Sequence, residues 1–272
     1  MEDKIYWIWL SKIEIMNKIK LELIDKFGSI KKIYEANFDD LLYYNFSDSV
    51  IDKITDLKKR KNLKQEYEFM KKNNINIINF TDKNYPQKLL NIYNFPITLY
   101  YIGNIDLINQ ENVAMVGARN ATNYGKTISK QLSKKIADKG INIVSGLANG
   151  IDKFSHLGAL ESKFGKTIAV LGTGINKEVL YPMENLRVYE RIIENNGLII
   201  TEYPINTKPV SYHFPARNRI ISGISKKIVV VEAGLKSGSL ITADFALEQG
   251  KDIYAVPRKY FFKNFRRSKQ FN

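Results

Sequence analysis

Four short stretches of this 272-residue chain carry residue types that could hold an anion or move a proton. Gly117 and Gly125 bracket the loop GARNATNYG, where backbone amides and Arg119 stand as groups facing a phosphate do at a helix N-terminus. The spacing is not a dinucleotide fingerprint, and the chain has no GxGxxG or GKS, so the loop reads either as a phosphate site or as a structural tight turn. In SGLANGID, Ser145, Gly146 and Gly150 let the backbone turn sharply into a helix, on which Asp152 and His156 lie four apart on one face. That pair either orients a base or satisfies itself near the helix start; the structural role is favoured, because a general acid or base needs a reacting partner that the sequence does not identify. The loop TEYPINTKPVSYHFPARNRIISGIS is stiffened by three prolines, with Tyr203, Tyr212 and Phe214 as stacking faces and Lys208, Arg217 and Arg219 as cations. Aromatic faces interleaved with cations suit a single-stranded nucleic acid, whose bases stack at roughly 1–3 kcal/mol each. The alternative is that the aromatics are core and the arginines pair with Glu202 or Glu232. Ser237, Gly238, Ser239 and Thr242 stand at a further helix entrance, a second candidate anion nest.

These stretches follow apolar runs that recur at nearly even intervals: VAMVG, INIVSG, TIAVLG, GLIIT, KIVVVE and DIYAV. The interval is that of a strand plus a crossover helix, so the runs predict a mostly parallel sheet covered on both faces, with ligands at the carboxyl ends of its strands. After the first run, Ile128, Leu132 and Ile136 predict a buried helical stripe, leaving Lys130, Lys134 and Lys135 outward. The Tyr-Pro pair at 181–182 predicts a helix restarting near Met183 or Glu184. Upstream, residues 1–75 have a helical composition and form a small helical domain. Asn17 to Phe27 reads as a helix capped by Gly28, and a longer helix begins near Ser47, with Val50, Ile54 and Leu57 on one face, and runs on through Leu63, Tyr67 and Met70. FGSIKKIYEA resembles the turn of DNA-binding helical hairpins only faintly, and a packing role is the preferred reading. Residues 76–112 are an ordered connection in which NINIINF is a short strand and prolines stiffen the joint. Residues 113–257 form the α/β domain, and 258–272 an atypical basic tail.

Composition bounds the chemistry. A formal net charge of +14 makes polyanions the first partners to consider, although Arg258, Lys259, Lys263, Arg266, Arg267 and Lys269 all lie in the tail. A solvated lysine surface is the competing reading of the rest. The absence of cysteine removes disulfides and thiolate chemistry, and with only His156 and His213 a histidine metal cluster is implausible. No cofactor is implied. The apolar run near the N-terminus is too short for a signal peptide or a membrane span, so a cytoplasmic location away from membranes is expected.

Taken together, YPQKLL with FPITLYYIGN, VGARNATNYG, SGLANGIDKFSHLGAL, TIAVLGTGIN to YPMEN, TEYP, FPARNRIISGIS, VVVEAGLKSGSLITADFALEQG and AVP resemble the DNA-processing protein A family, also called DprA or Smf, in family order over residues 85 to 257. The region before them resembles the family's variable N-terminal domain. The resemblance implies an extended Rossmann-like domain that binds single-stranded DNA, protects it during natural transformation and hands it to the RecA recombinase without catalytic turnover, and it implies a homodimer if the C-terminal region is intact. The family's phosphate-gripping arginine matches Arg119, and its basic and aromatic contacts match the stretch from Lys208 to Arg217. With the candidates read from the residues themselves, the expected DNA-contacting set is Gly117, Arg119, Ser145, Gly146, Lys208, Phe214, Arg217, Arg219, Ser237, Gly238 and Ser239.

The tail departs from the family: RKYFFKNFRRSKQFN stands where glycine and a Ser/Gly/Asn-rich segment are expected. Permissible codons for it, read one nucleotide later, can encode GNIFSKISEGANNLI, which is similar to the family segment, so a frameshift in the gene or its sequencing is expected. Two other functional readings stand beside DNA binding. One is an enzyme or sensor that binds a nucleotide or nucleoside phosphate in the same glycine-rich pocket, using Asp152, His156 or Glu232; the other is a truncated, inactive product.

Overall fold

The computed structural model describes residues 2–235 and 237–257, and the tail set apart above lies outside them. Seven helices come first: α1 (Glu2–Lys12), α2 (Asn17–Phe27), α3 (Ile30–Glu35), α4 (Phe38–Tyr43), α5 (Asp48–Thr55), α6 (Leu57–Arg60) and α7 (Leu63–Lys72). As expected, α2 ends at Gly28, whose φ of 70° places it in the left-handed region. The long helix expected from Ser47 is instead three pieces. Asp56 caps α6 by accepting the Lys58 N–H, and Asn62 adopts a left-handed φ of 60° before α7. Val50 and Ile54 are buried, but Leu57 is exposed beyond the first break.

The sheet begins inside the connecting segment. Strand β1 (Asn76–Asn79) is followed by α8 (Gln87–Leu90) and β2 (Thr98–Gly103), so FPITLYYIGN supplies a strand where only an ordered joint was expected. Then come β3 (Asn112–Gly117), α9 (Asn123–Ala137), β4 (Asn142–Ser145), α10 (Ile151–Ala159), β5 (Thr167–Val170), α11 (Leu186–Glu194), β6 (Leu198–Thr201), α12 (His213–Gly223), β7 (Lys227–Glu232), α13 (Gly238–Glu248) and β8 (Asp252–Ala255). All six apolar runs of the sequence are strands. The eight strands lie in the order β1-β2-β6-β5-β4-β3-β7-β8; β1/β2 and β2/β6 are antiparallel and the other pairs parallel. From β3 the chain moves outward through β4, β5 and β6, then crosses back to place β7 on the other side of β3. The carboxyl ends of β3 and β7 therefore flank the switch point at which open α/β sheets bind ligands.

Side chains alternate across the sheet. Ile168, Val170, Leu198, Ile200, Ala114, Val116, Ile228 and Val230 join one continuous cluster with α12 and α13. On the opposite face, Ala169 and Ile199 pack with Trp7, Trp9, Ile33 and Ile54 of the N-terminal helices, while Val113, Met115, Val229 and Val231 pack with Ile151 and Ala159 of α10 and with α9. Among the described residues no helix is long and apolar enough to cross a membrane.

The inner stripe of α9 differs from the expected one. Ser129, Ser133 and Ala137 are fully buried, whereas Ile128, Leu132 and Ile136 flank them half-buried. The reason is the close passage of α10. Ser129 Oγ and Ser155 Oγ are 2.7 Å apart, and a Cβ on Gly158 would come within 2.1 Å of both the Lys130 carbonyl oxygen and Ser133 Oγ. Small residues win the central positions because the two helices approach too closely for branched ones. Gly158→Ala is accordingly expected to destabilise the fold by about 1–3 kcal/mol in urea denaturation, the usual cost of forcing atoms into a packed interface. An unchanged unfolding midpoint would show that α9 and α10 separate freely.

Candidate functional site

The turn after β3, the first turn of α10, one side of α12 and the entrance of α13 enclose a cleft of about 550 Å³. The turns that build it are fixed by close backbone approaches. Gly150 has a φ of 73°, and a Cβ there would lie 2.2 Å from the Ala118 carbonyl oxygen, which accepts the Ile151 N–H at 3.2 Å. Leu147, fully buried, also has a positive φ, of 57°, and its carbonyl accepts a hydrogen bond from buried Asn185 Nδ2 at 2.9 Å. Asn185 belongs to YPMEN, so that stretch braces the SGLANG turn, a link between distant residues that local sequence patterns do not carry.

Gly117, Arg119, Phe214, Arg217, Ser237, Gly238 and Ser239 of the expected set line this cleft. Arg119 is exposed at its mouth, with its guanidinium 5.3 Å from the Phe214 ring centroid. Ser237 caps α13 by accepting the Ser239 N–H at 3.4 Å, and the two hydroxyls are 2.7 Å apart. Asn120, Asn218 and Thr242 also face the cleft. Asn120 and Asn218 were not among the expected contacts, although both flank the arginines that drew attention to those loops.

Other members of the set are placed differently. The loop expected over 201–225 ends in helix α12, because Pro215 falls in its first turn, where a missing N–H costs nothing. The helix buries both of its arginines. Arg217 forms the cleft floor: its Nη1 donates to the Gly146 carbonyl at 2.9 Å and to the Val170 carbonyl, and its Nε donates to Asn218 Oδ1 at 3.1 Å. Burial lowers its pKa to about 10, opposed by the charge of Asp152, so it remains a cation at neutral pH. Arg219 lies outside the cleft in a bidentate pair with Glu202, at 2.5 and 2.6 Å, and also donates to the Asn94 carbonyl. The ion-pair alternative is the arrangement found for this residue, away from the cleft where most of the other expected contacts gather. Ser145 is fully buried and donates to the Met115 carbonyl at 2.6 Å, and Gly146 packs under Arg217. Neither lines the cleft; Gly146 supports its floor from beneath through the bond to Arg217. Lys208 is exposed but lies outside the lining. Of the expected stacking faces, half-buried Tyr203 already stacks on His213, centroids 3.9 Å apart, whereas Tyr212 is 68% exposed.

Asp152 and His156 do not pair with each other. The Asp152 carboxylate accepts the N–H groups of Gly146 at 3.1 Å and Ala148 at 3.4 Å, and burial raises its pKa. His156 Nδ1 instead meets Thr167 Oγ1 at 2.7 Å. Glu232 Oε2 accepts from the Thr122 N–H and hydroxyl at 3.2 and 2.9 Å, holding the start of α9.

Comparison with known proteins gives one family model, DNA recombination-mediator protein A, matching residues 76–271. The match continues past residue 257. The chain is 44% identical over 188 residues to DNA processing protein DprA of Bacillus subtilis, covering 69% of this chain and 62% of that protein, so it spans about three-fifths of the relative's length. The solved structure of DNA processing protein A from Streptococcus pneumoniae superposes with a TM-score of 0.74 at 32% identity, over 94% of this chain and 88% of that one. The DNA processing protein A of Helicobacter pylori, a structure described for its single-stranded DNA binding mode, gives 0.60 at 29% identity over 70% of this chain and 84% of that one.

His156 gives the fold a pH signature. Burial and the charge of Arg217 lower its pKa from 6.5 to about 3. Below about pH 6.5 the unfolded chain takes up a proton that the folded chain refuses until about pH 3. Stability present above that window is therefore lost as pH falls through it, by about 1.4 kcal/mol per pH unit. Urea titrations between pH 7 and 5 are expected to show a steeper fall in unfolding free energy for the unsubstituted chain than for His156→Gln. Equal slopes would refute a histidine held neutral.

Proposed function

The chain belongs to the DNA recombination-mediator protein A family, and from that premise we propose that it binds single-stranded DNA in the cleft between the carboxyl ends of β3 and β7 and passes it to a RecA-class recombinase, without catalytic turnover. The observation that carries this reading is the mouth of the cleft, where the exposed Arg119 guanidinium lies over Phe214 beside the serine-capped entrance of α13. A cation and amides at a helix N-terminus grip a phosphate, while an aromatic edge accommodates any base; such contacts position a strand without reading its sequence. Arg217 and Asp152 form the floor, and with both engaged by protein groups they shape the cleft and hold its potential. The description of the Helicobacter pylori relative supports the single-strand preference, and the family's description supports the role in recombination. A homodimer and a cytoplasmic location accompany this reading.

A second reading is supported by one observation: the buried carboxyl of Asp152, its pKa raised, lines a cleft of nucleotide size. It makes the protein a nucleotide-binding enzyme or sensor. Turnover of millimolar nucleotide that disappears in Asp152→Asn would favour it over DNA binding.

Fluorescence anisotropy of labelled oligothymidine, against a duplex control and across a salt series, tests the main reading. Salt-sensitive preference for the single strand is expected. Arg119→Ala should weaken binding by about ten-fold and reduce the log–log salt slope by about 0.7, the value for one lost phosphate contact on a single strand. A folded chain with no single-strand preference, or an Arg119→Ala variant that binds equally well, would overturn it.

A further inference from the structure

The aromatic surface of the site continues past the cleft. The Tyr181 ring centroid lies 5.6 Å from that of Phe214, with the planes tilted by 51°. Phe214 is thus shared between the Arg119 guanidinium, 5.3 Å from its centroid, and Tyr181. It is also pinned from below: a Cβ on Gly172 would come within 2.7 Å of Phe214 Cδ1, so the ring sits hard against the turn after β5. A base approaching Phe214 meets a ring already engaged by these groups. Tyr181, by contrast, is 49% exposed and is not part of the cleft lining.

The segment carrying Tyr181 is firmly held. Leu180 before it is buried, and Asn185 after it is fully buried and hydrogen-bonded to the Leu147 carbonyl beside the cleft floor. A half-exposed tyrosine on a fixed segment presents a large contact face while losing little conformational entropy on binding. A row of cation, ring and ring along one surface is the arrangement on which successive bases stack while the backbone follows positive charge.

We propose that Tyr181 is a base-stacking residue of the single-stranded DNA site, receiving a nucleotide next to the one held at Arg119 and Phe214 and leading the strand out of the cleft over the loop after β5. This rests on the single-strand reading above. Tyr181 stacks a base without reading it, so it adds affinity for longer strands and leaves sequence preference unchanged.

The test compares the full chain with Tyr181→Ala, Tyr181→Leu and Tyr181→Phe, using oligothymidines from three to twelve nucleotides and an abasic phosphodiester strand of twelve. Leucine keeps an apolar contact with Phe214 and guards against an alanine variant that fails to fold. The expected result is that Ala and Leu weaken binding of the twelve-mer by about ten-fold, that Phe stays near the unsubstituted chain, and that binding of the trimer, binding of the abasic strand and the salt slope do not change. Undiminished twelve-mer binding by Tyr181→Leu overturns the inference. So does a loss in Tyr181→Phe equal to that in Tyr181→Leu, or a loss that persists on the abasic strand, since either assigns the effect to the hydroxyl or the backbone. If the unsubstituted chain binds no single strand, the underlying reading falls and takes this inference with it; if the unsubstituted chain binds and the leucine variant binds equally, only the inference falls.

Discussion

A guanidinium taken out of water must be met on its donor sides, and the cleft is organised around one that is. Arg217 is buried, yet the carbonyls of Gly146 and Val170 and the side chain of Asn218 accept from it, and Asp152 supplies a nearby opposite charge. Those carbonyls belong to the ends of two different strands, β4 and β5. The hydrogen bonds therefore fasten α12 across the strand ends, and any looser arrangement would leave a buried cation and two backbone acceptors unsatisfied at a cost of several kcal/mol. Gly146 makes this possible by lacking a side chain, since a Cβ would stand 2.4 Å from Nη2.

The second arginine of the same motif secures the opposite side of the helix. Residues two apart on an α-helix point roughly 200° away from each other, so Arg219 turns away from the cleft to its bidentate pair with Glu202 at the end of β6 and to the Asn94 carbonyl. Asn218, between them, faces the cleft and donates to the Gly238 carbonyl at 3.2 Å, joining α12 to the entrance of α13. With α12 bolted on both sides, Phe214 is held at the mouth, and Arg119 is left exposed over it. The exposed cation at the mouth comes from the turn after β3, while the arginines of α12 are engaged within the scaffold.

The same economy of space governs the rest of the sheet. Close helix approach on one face demands serine, glycine and alanine between α9 and α10, while the neighbouring part of that face carries the tryptophans and isoleucines of the N-terminal helices in one hydrophobic cluster with β5 and β6. Lys20, buried in that junction, has its pKa lowered by burial to about 8, with Glu202 opposing the shift. Glu202 thus lies electrostatically between the N-terminal helices and the arginine that anchors α12.

Local residue patterns carried strands β3 to β8, their spacing and the glycine turns, because continuous apolar, β-branched runs and sharp turns are properties written within a few residues; β2, inside the proline-bearing joint, did not show in them. The sequence by itself also placed Arg119, Phe214 and the Ser237–Ser239 entrance at strand ends, which is where the cleft forms. Tertiary structure alone decided what each cation does: Arg217 and Arg219 differ in role although they stand in one RNR motif, since their partners are carbonyls and a carboxylate brought in from β4, β5 and β6. It likewise decided that Asp152 holds the turn after β4 while His156 meets Thr167 at the start of β5, that the stripe of α9 is made of small residues, and that the helix expected after Ser47 breaks at Asp56 and Asn62. In each of these the outcome depends on which neighbour lies within hydrogen-bonding or packing distance, and that is set by strand order and helix approach, which a local pattern does not contain.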